Sequence, residues 1–132
     1  MQIKGVLFTL PFLSAVLASP APAPVPAPVP ASVPIGYGQQ LQNGDQANHW
    51  VVWIEGQSAC PKSITLSKLT ESPCNIDFSF NGGTYHLADC GSDNEPRSVV
   101  QNGGGSKSCS RDNRKITCHN SIHDIVKHGK CT

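Results

Sequence analysis

All six cysteines of this 132-residue chain, Cys60, Cys74, Cys90, Cys109, Cys118 and Cys131, lie behind an apolar leader and a proline repeat. Thiols persist as disulfides only in oxidising surroundings, so an even set placed downstream of an export signal predicts three cross-links in an extracellular module. Six cysteines allow about fifteen pairings, and the sequence does not choose among them. Each bridge removes roughly 2 to 4 kcal/mol of freedom from the unfolded chain. For a domain of this size that is a large share of the net stability, which makes the cysteines structural first.

The leader, residues 1–18, has one basic residue, Lys4, and an apolar run from Val6 to Phe12 that Pro11 interrupts. It is too short for a membrane span and reads as a signal peptide. A cut after Ala18 avoids placing Pro20 directly behind the scissile bond, so Ser19 is the expected first residue. Residues 19–34 hold seven of the eleven prolines and no charge. Each proline fixes its own φ and biases its predecessor away from the helix, which predicts an extended polyproline linker, or a pro-segment trimmed by peptidases that remove X-Pro pairs. No later stretch is apolar enough to cross a bilayer, so the chain is expected to be secreted.

Residues 35–132 form the expected globular domain. His49 to Glu55 places Trp50, Val52 and Ile54 on one face and Val51 and Trp53 on the other. Both faces are apolar, as in a strand packed on each side, and this predicts the centre of the sheet. Ser63 to Leu69 reads as a weaker strand. From Asn75 to Leu87 a hairpin is expected. A two-residue Gly82-Gly83 turn sets Phe80 opposite Tyr85 and Phe78 opposite Leu87; a three-residue turn, setting Phe80 against Thr84, would split the apolar face. The first register sends Cys74 and Cys90 to opposite faces, which argues against a bridge between them.

Arg97 to Gln101 and Arg114 to Cys118 read as short strands, the second following a turn at Asp112 and Asn113. Ser121 to Asp124 matches a helix start, and Ile122, Ile125 and Val126 supply an apolar stripe ended by Gly129. A short C-terminal helix from Ile122 to His128 follows. The predicted fold is mainly β: a small, disulfide-stabilised antiparallel sheet or sandwich with one terminal helix.

Charge is divided along the chain. Between Gly36 and Glu95 seven acidic residues face Lys62 and Lys68, whereas from Pro96 onward seven basic residues face Asp112 and Asp124. Lys107, Arg111, Arg114 and Lys115 are therefore a candidate anion-binding patch, set against the plainer reading that acidic and basic parts pair across the fold. No aromatic residues interleave with this cluster, which argues against nucleic acid. On the expected helix His123 and His128 point roughly 140° apart, so no metal or cofactor is expected. The tryptophans read as core rather than as a sugar-stacking platform. A ribonuclease-like site would need His86, Glu55 or Glu71, and Arg97 to converge, and the sequence does not bring them together. No catalytic residues are assigned.

The layout of leader, X-Pro repeat and roughly hundred-residue Gly/Asn/Ser-rich domain with six cysteines resembles the fungal small secreted cysteine-rich proteins, a class that includes effectors and elicitors. The resemblance implies action in the host apoplast or at a host surface, and the chain is expected to be a monomer. Its expected partner is a surface protein or polysaccharide of a host or a competitor, engaged by binding rather than catalysis. A secreted antimicrobial or toxin-like protein is the alternative, motivated by the basic final third, and a small ribonuclease-like hydrolase is the third.

Overall fold

The computed structural model describes residues 29–41, 48–119 and 123–132. Expectations for the leader, for most of the proline segment and for Ser121 and Ile122 lie outside these residues. Within them the elements run β1 (Ile35–Leu41), β2 (His49–Ile54), α1 (Ala59–Lys62), β3 (Ile64–Lys68), β4 (Phe78–Phe80), β5 (Gly83–Ala88), β6 (Ser98–Gln101), β7 (Ser106–Ile116) and β8 (Asp124–Cys131). The strands form one antiparallel sheet in the order β3-β2-β1-β8-β7-β6-β5-β4. Two meanders, β1 to β3 and β4 to β8, are thus joined where the first strand pairs with the last.

The sheet rolls into a nearly closed barrel. One inner core gathers Ile35, Tyr37, Trp50, Val52, Phe78, Tyr85, Leu87, Val99 and Cys131, and Ile64 and Leu66 of β3 and Phe80 of β4 pack against it. The two ends of the strand order therefore share one interior, which an open sheet does not allow. A second cluster of Val51, Trp53, Ala59, Cys118 and Ile125 lies on the outer face, beneath α1. Both faces of β2 are buried, as its sequence requires, although β2 is one strand in from the β3 edge rather than central.

The expected C-terminal helix is absent. Asp124 to His128 belong to β8, which pairs with both β1 and β7, and the helix among the described residues is α1, earlier in the chain. Pairing on two sides satisfies the backbone of β8 more completely than a helix of about two turns would, and β-branched Ile125 and Val126 suit it. The turn expected at Asp112 and Asn113 is instead an irregularity inside β7, where the register with β8 shifts between Arg111 and Arg114. The β1–β8 register shifts as well, Tyr37 facing Gly129 while Gly38 faces Lys127. His128 is the extra residue, so Ile125 and Lys127 point outward while Gly129 and Cys131 point inward.

The hairpin forms at the expected place in a different register. Phe78 faces Tyr85 and Phe80 faces Gly83, so the turn residues are Asn81 and Gly82. Both have positive φ, 50° and 82°, the combination that a type I′ turn requires and that Asn-Gly supplies at least cost. Phe78, Tyr85 and Leu87 still share the inner face. The bridges are Cys60–Cys118, Cys74–Cys90 and Cys109–Cys131, with no cysteine left free. This is the chemistry of an oxidising compartment. It also corrects the expectation that Cys74 and Cys90 stay apart: Asn75, at φ 65°, turns the chain so that Cys74 forms an isolated bridge with Leu87 instead of extending β4.

Candidate functional site

Between β1, β7 and the loop leading into β6 lies a recess of 460 Å³ lined by Tyr37, Asp93, Glu95, Pro96, Arg97 and Arg111. The loop owes its shape to local bonds. The Asp93 carboxylate accepts the Glu95 N–H at 2.9 Å, the Gly91 carbonyl accepts from Asn94, and Cys74–Cys90 fixes the loop's start. Pro96 restricts its predecessor to extended backbone, and Glu95 is buried.

The Glu95 carboxylate is the centre of the site. His128 Nδ1 lies 3.0 and 3.1 Å from its two oxygens, and the Arg111 guanidinium pairs with the same group. Arg97 donates to the Glu95 carbonyl at 2.8 Å and pairs with Asp93 at 3.6 Å. The His128 ring stands edge-on to Trp50, with centroids 5.0 Å apart. Burial pushes the His128 pKa below its ordinary value, and the nearby Arg111 charge pushes the same way. Burial likewise raises the Tyr37 hydroxyl, against the opposing pull of Arg111 and Arg97. Gly129 makes the arrangement fit, since a Cβ there would come within 2.4 Å of the Tyr37 hydroxyl oxygen. The result is a carboxylate held between imidazole and guanidinium, with a second guanidinium beside it, facing an open recess.

The candidate patch is distributed along β7 rather than gathered. Arg111 joins Glu95, Arg114 and Lys115 line a separate 400 Å³ recess with Trp53 and Glu55, and Lys107 lines a small one with Tyr85 and Val99. Lys115 also pairs with Asp124 at 3.5 Å. The acidic and basic halves do pair across the fold. Lys127, wholly buried on the outer face, binds Glu55 at 2.6 Å and Asp112 at 2.9 Å.

His86, Glu55, Glu71 and Arg97 do not converge. His86 bonds Asn102 at 2.8 Å in a shallow outer recess that also holds Asp77, while Glu55 is committed to Lys127. Both tryptophans are buried, on opposite faces of β2, so neither offers a stacking surface. Among the described residues no three metal-ligating side chains converge, and no helix is long and apolar enough to cross a membrane. The pairing of Glu95 with His128 had no local signal in the sequence, because it depends on β8 being a strand and on the extra residue that turns His128 inward. Compared with known proteins, the chain matches no family model, no curated protein and no solved structure.

Proposed function

We propose that the chain is an exported, disulfide-stapled binding protein, effector- or elicitor-like, that engages anionic groups of a host-surface polysaccharide or protein without chemistry of its own. The supporting observation is the pre-paired polar set at the barrel recess. Arg111 is held by Glu95 and Arg97 by Asp93 and the Glu95 carbonyl, so both guanidiniums are oriented before any ligand arrives. Donors already ordered on a cross-linked frame lose little freedom on binding, and the planar fork of arginine matches carboxylate geometry. The test is retention of the oxidised protein on washed plant cell walls and on an immobilised polyuronate, together with leaf infiltration. Wild type should be retained and should elicit a response, and an Arg97→Ala/Arg111→Ala variant should lose at least tenfold in retention. No retention and no leaf response across several hosts would sink the reading.

The convergence of Glu95, His128 and Arg111 favours a second reading, phosphodiester hydrolysis. In it Glu95 orients His128 as the acid/base group and the arginines stabilise phosphate charge. RNA cleavage by wild type that disappears in His128→Ala would establish it, and inactivity of the wild type would remove it. The dispersal of Lys107, Arg114 and Lys115 gives the antimicrobial reading no comparable support.

A further inference from the structure

From Ser19 the chain reads as six consecutive X-Pro pairs: Ser19-Pro20, Ala21-Pro22, Ala23-Pro24, Val25-Pro26, Ala27-Pro28 and Val29-Pro30. The frame breaks at Ala31-Ser32. A repeat kept in strict two-residue phase from the expected leader cut is the substrate pattern of a dipeptidyl peptidase specific for proline in the second position.

The last of these pairs is the one among the described residues, and the fold holds it. The Pro30 carbonyl accepts a hydrogen bond from Gln101 Nε2 at 2.7 Å, and the Val33 N–H donates to the Tyr85 hydroxyl at 3.2 Å. Gln101 and Tyr85 are themselves buried. The Gln101 amide is confined between two glycines: a Cβ at Gly83 would stand 3.1 Å from its Nε2, and one at Gly104 would stand 2.9 Å from its Oε1. It is a fixed donor. Removal of Val29-Pro30 requires attack on the Pro30 carbonyl, which a serine-type peptidase must place in its own oxyanion hole. In the folded protein that oxygen is already bound.

We propose that an X-Pro dipeptidyl peptidase matures the chain stepwise from Ser19 and that Gln101 halts it at Val29, one pair before the sequence frame would. In each step one water hydrolyses the bond after proline. The dipeptide leaves with the new carboxylate, and the shortened chain keeps the new α-amino group. Five steps leave Val29 as the first residue. The inference rests on the export reading and on leader removal after Ala18.

The experiment follows the intact mass of the folded, oxidised chain beginning at Ser19 during incubation with a purified X-Pro dipeptidyl peptidase. Loss of five dipeptides and a plateau at Val29 is expected. An unchanged mass, or undiminished progress to Ala31, overturns the inference. Gln101→Leu should lose the sixth pair as well, and retention of that pair by a folded variant overturns the role of Gln101. Because this variant can fail to fold, reduced and alkylated wild type serves as a second arm: it should run through to Ala31 and stop, and a stop at Val29 in the unfolded chain refutes the structural brake. Export of the whole chain from a fungal host tests the leader separately. An N-terminus at Val29 is expected, and one at Pro20, which throws every pair out of frame, overturns the inference whatever the purified enzyme does.

Discussion

Replacing Lys127 with methionine isolates the most demanding interaction in the barrel. The Lys127 side chain has 0% exposure, with Glu55 2.6 Å and Asp112 2.9 Å from its ammonium. Methionine keeps an unbranched apolar stem of nearly the same length, so packing changes little and the charge is what is lost. The Glu55 carboxylate then remains 18% exposed without its cation, and its Oε2 already lacks a hydrogen-bond partner. Removing one member of a buried pair costs about 3–5 kcal/mol, and partial hydration of the two acids places the expected loss near the lower bound, ~3 kcal/mol. With a urea slope of about 1.5 kcal/mol/M for a domain of this size, the midpoint should fall by roughly 2 M.

Lys127→Met/Glu55→Gln should regain roughly 1–2 kcal/mol of that loss, because the second change neutralises the stranded charge. Acid should narrow the gap between wild type and Lys127→Met. The hydrogen bond from Lys127, and then its charge, hold the Asp112 carboxyl below its ordinary value of 3.8. Its contribution is therefore present above that value and is lost as pH falls through the lower folded one. Circular dichroism melts with the disulfides intact, at pH 7 and below pH 4, provide the readout. A midpoint shift under ~0.5 M for Lys127→Met, or a double variant weaker than the single, would refute the reasoning.

Other outcomes follow from the same geometry. Gly38→Ala should destabilise by about 2 kcal/mol or more, since its Cβ would stand 2.3 Å from the Val126 carbonyl oxygen, whereas Gly105→Ala, with open space around it, should stay within ~0.5 kcal/mol; paired denaturant melts decide this. His128 should titrate below 6.5 by NMR, so stability should decline as pH falls from 6.5 toward the folded value and the decline should vanish in His128→Asn; a measured pKa above 6.5 would contradict the burial argument. Cys74→Ala/Cys90→Ala, opening a loop with a sequence separation of 16, should cost ~3 kcal/mol by thermal melt and leave the other two bridges formed on peptide mapping.

What the sequence made legible was whatever local periodicity controls. β2 announces two buried faces through its unbroken Trp50-to-Ile54 run, and β3, β6 and the β4–β5 hairpin appear where alternation and glycine place them. The hairpin register differs because Gly82-Gly83 looks like the turn on composition, while Asn81 tolerates positive φ and lets the two-residue turn form one position earlier, at Asn81-Gly82. β8 was illegible for two reasons: a buried lysine occupies a position that hydropathy assigns to solvent, and the extra residue at His128 breaks the alternation. The candidate site inherits that obscurity. Glu95 and His128 are 33 residues apart, and their contact exists only once β8 is seated.

Seating β8 also sets the order of assembly. Among the described strands β8 comes last in chain order, yet it lies between β1 and β7 and unites the two meanders, so the wall cannot close until β8 has been made. Sequence-distant pairing of this kind makes folding slow, because the chain must give up loop freedom before the contacts repay it. Truncation before Asp124 should therefore yield two half-sheets that never seal, whatever the redox state of their remaining thiols.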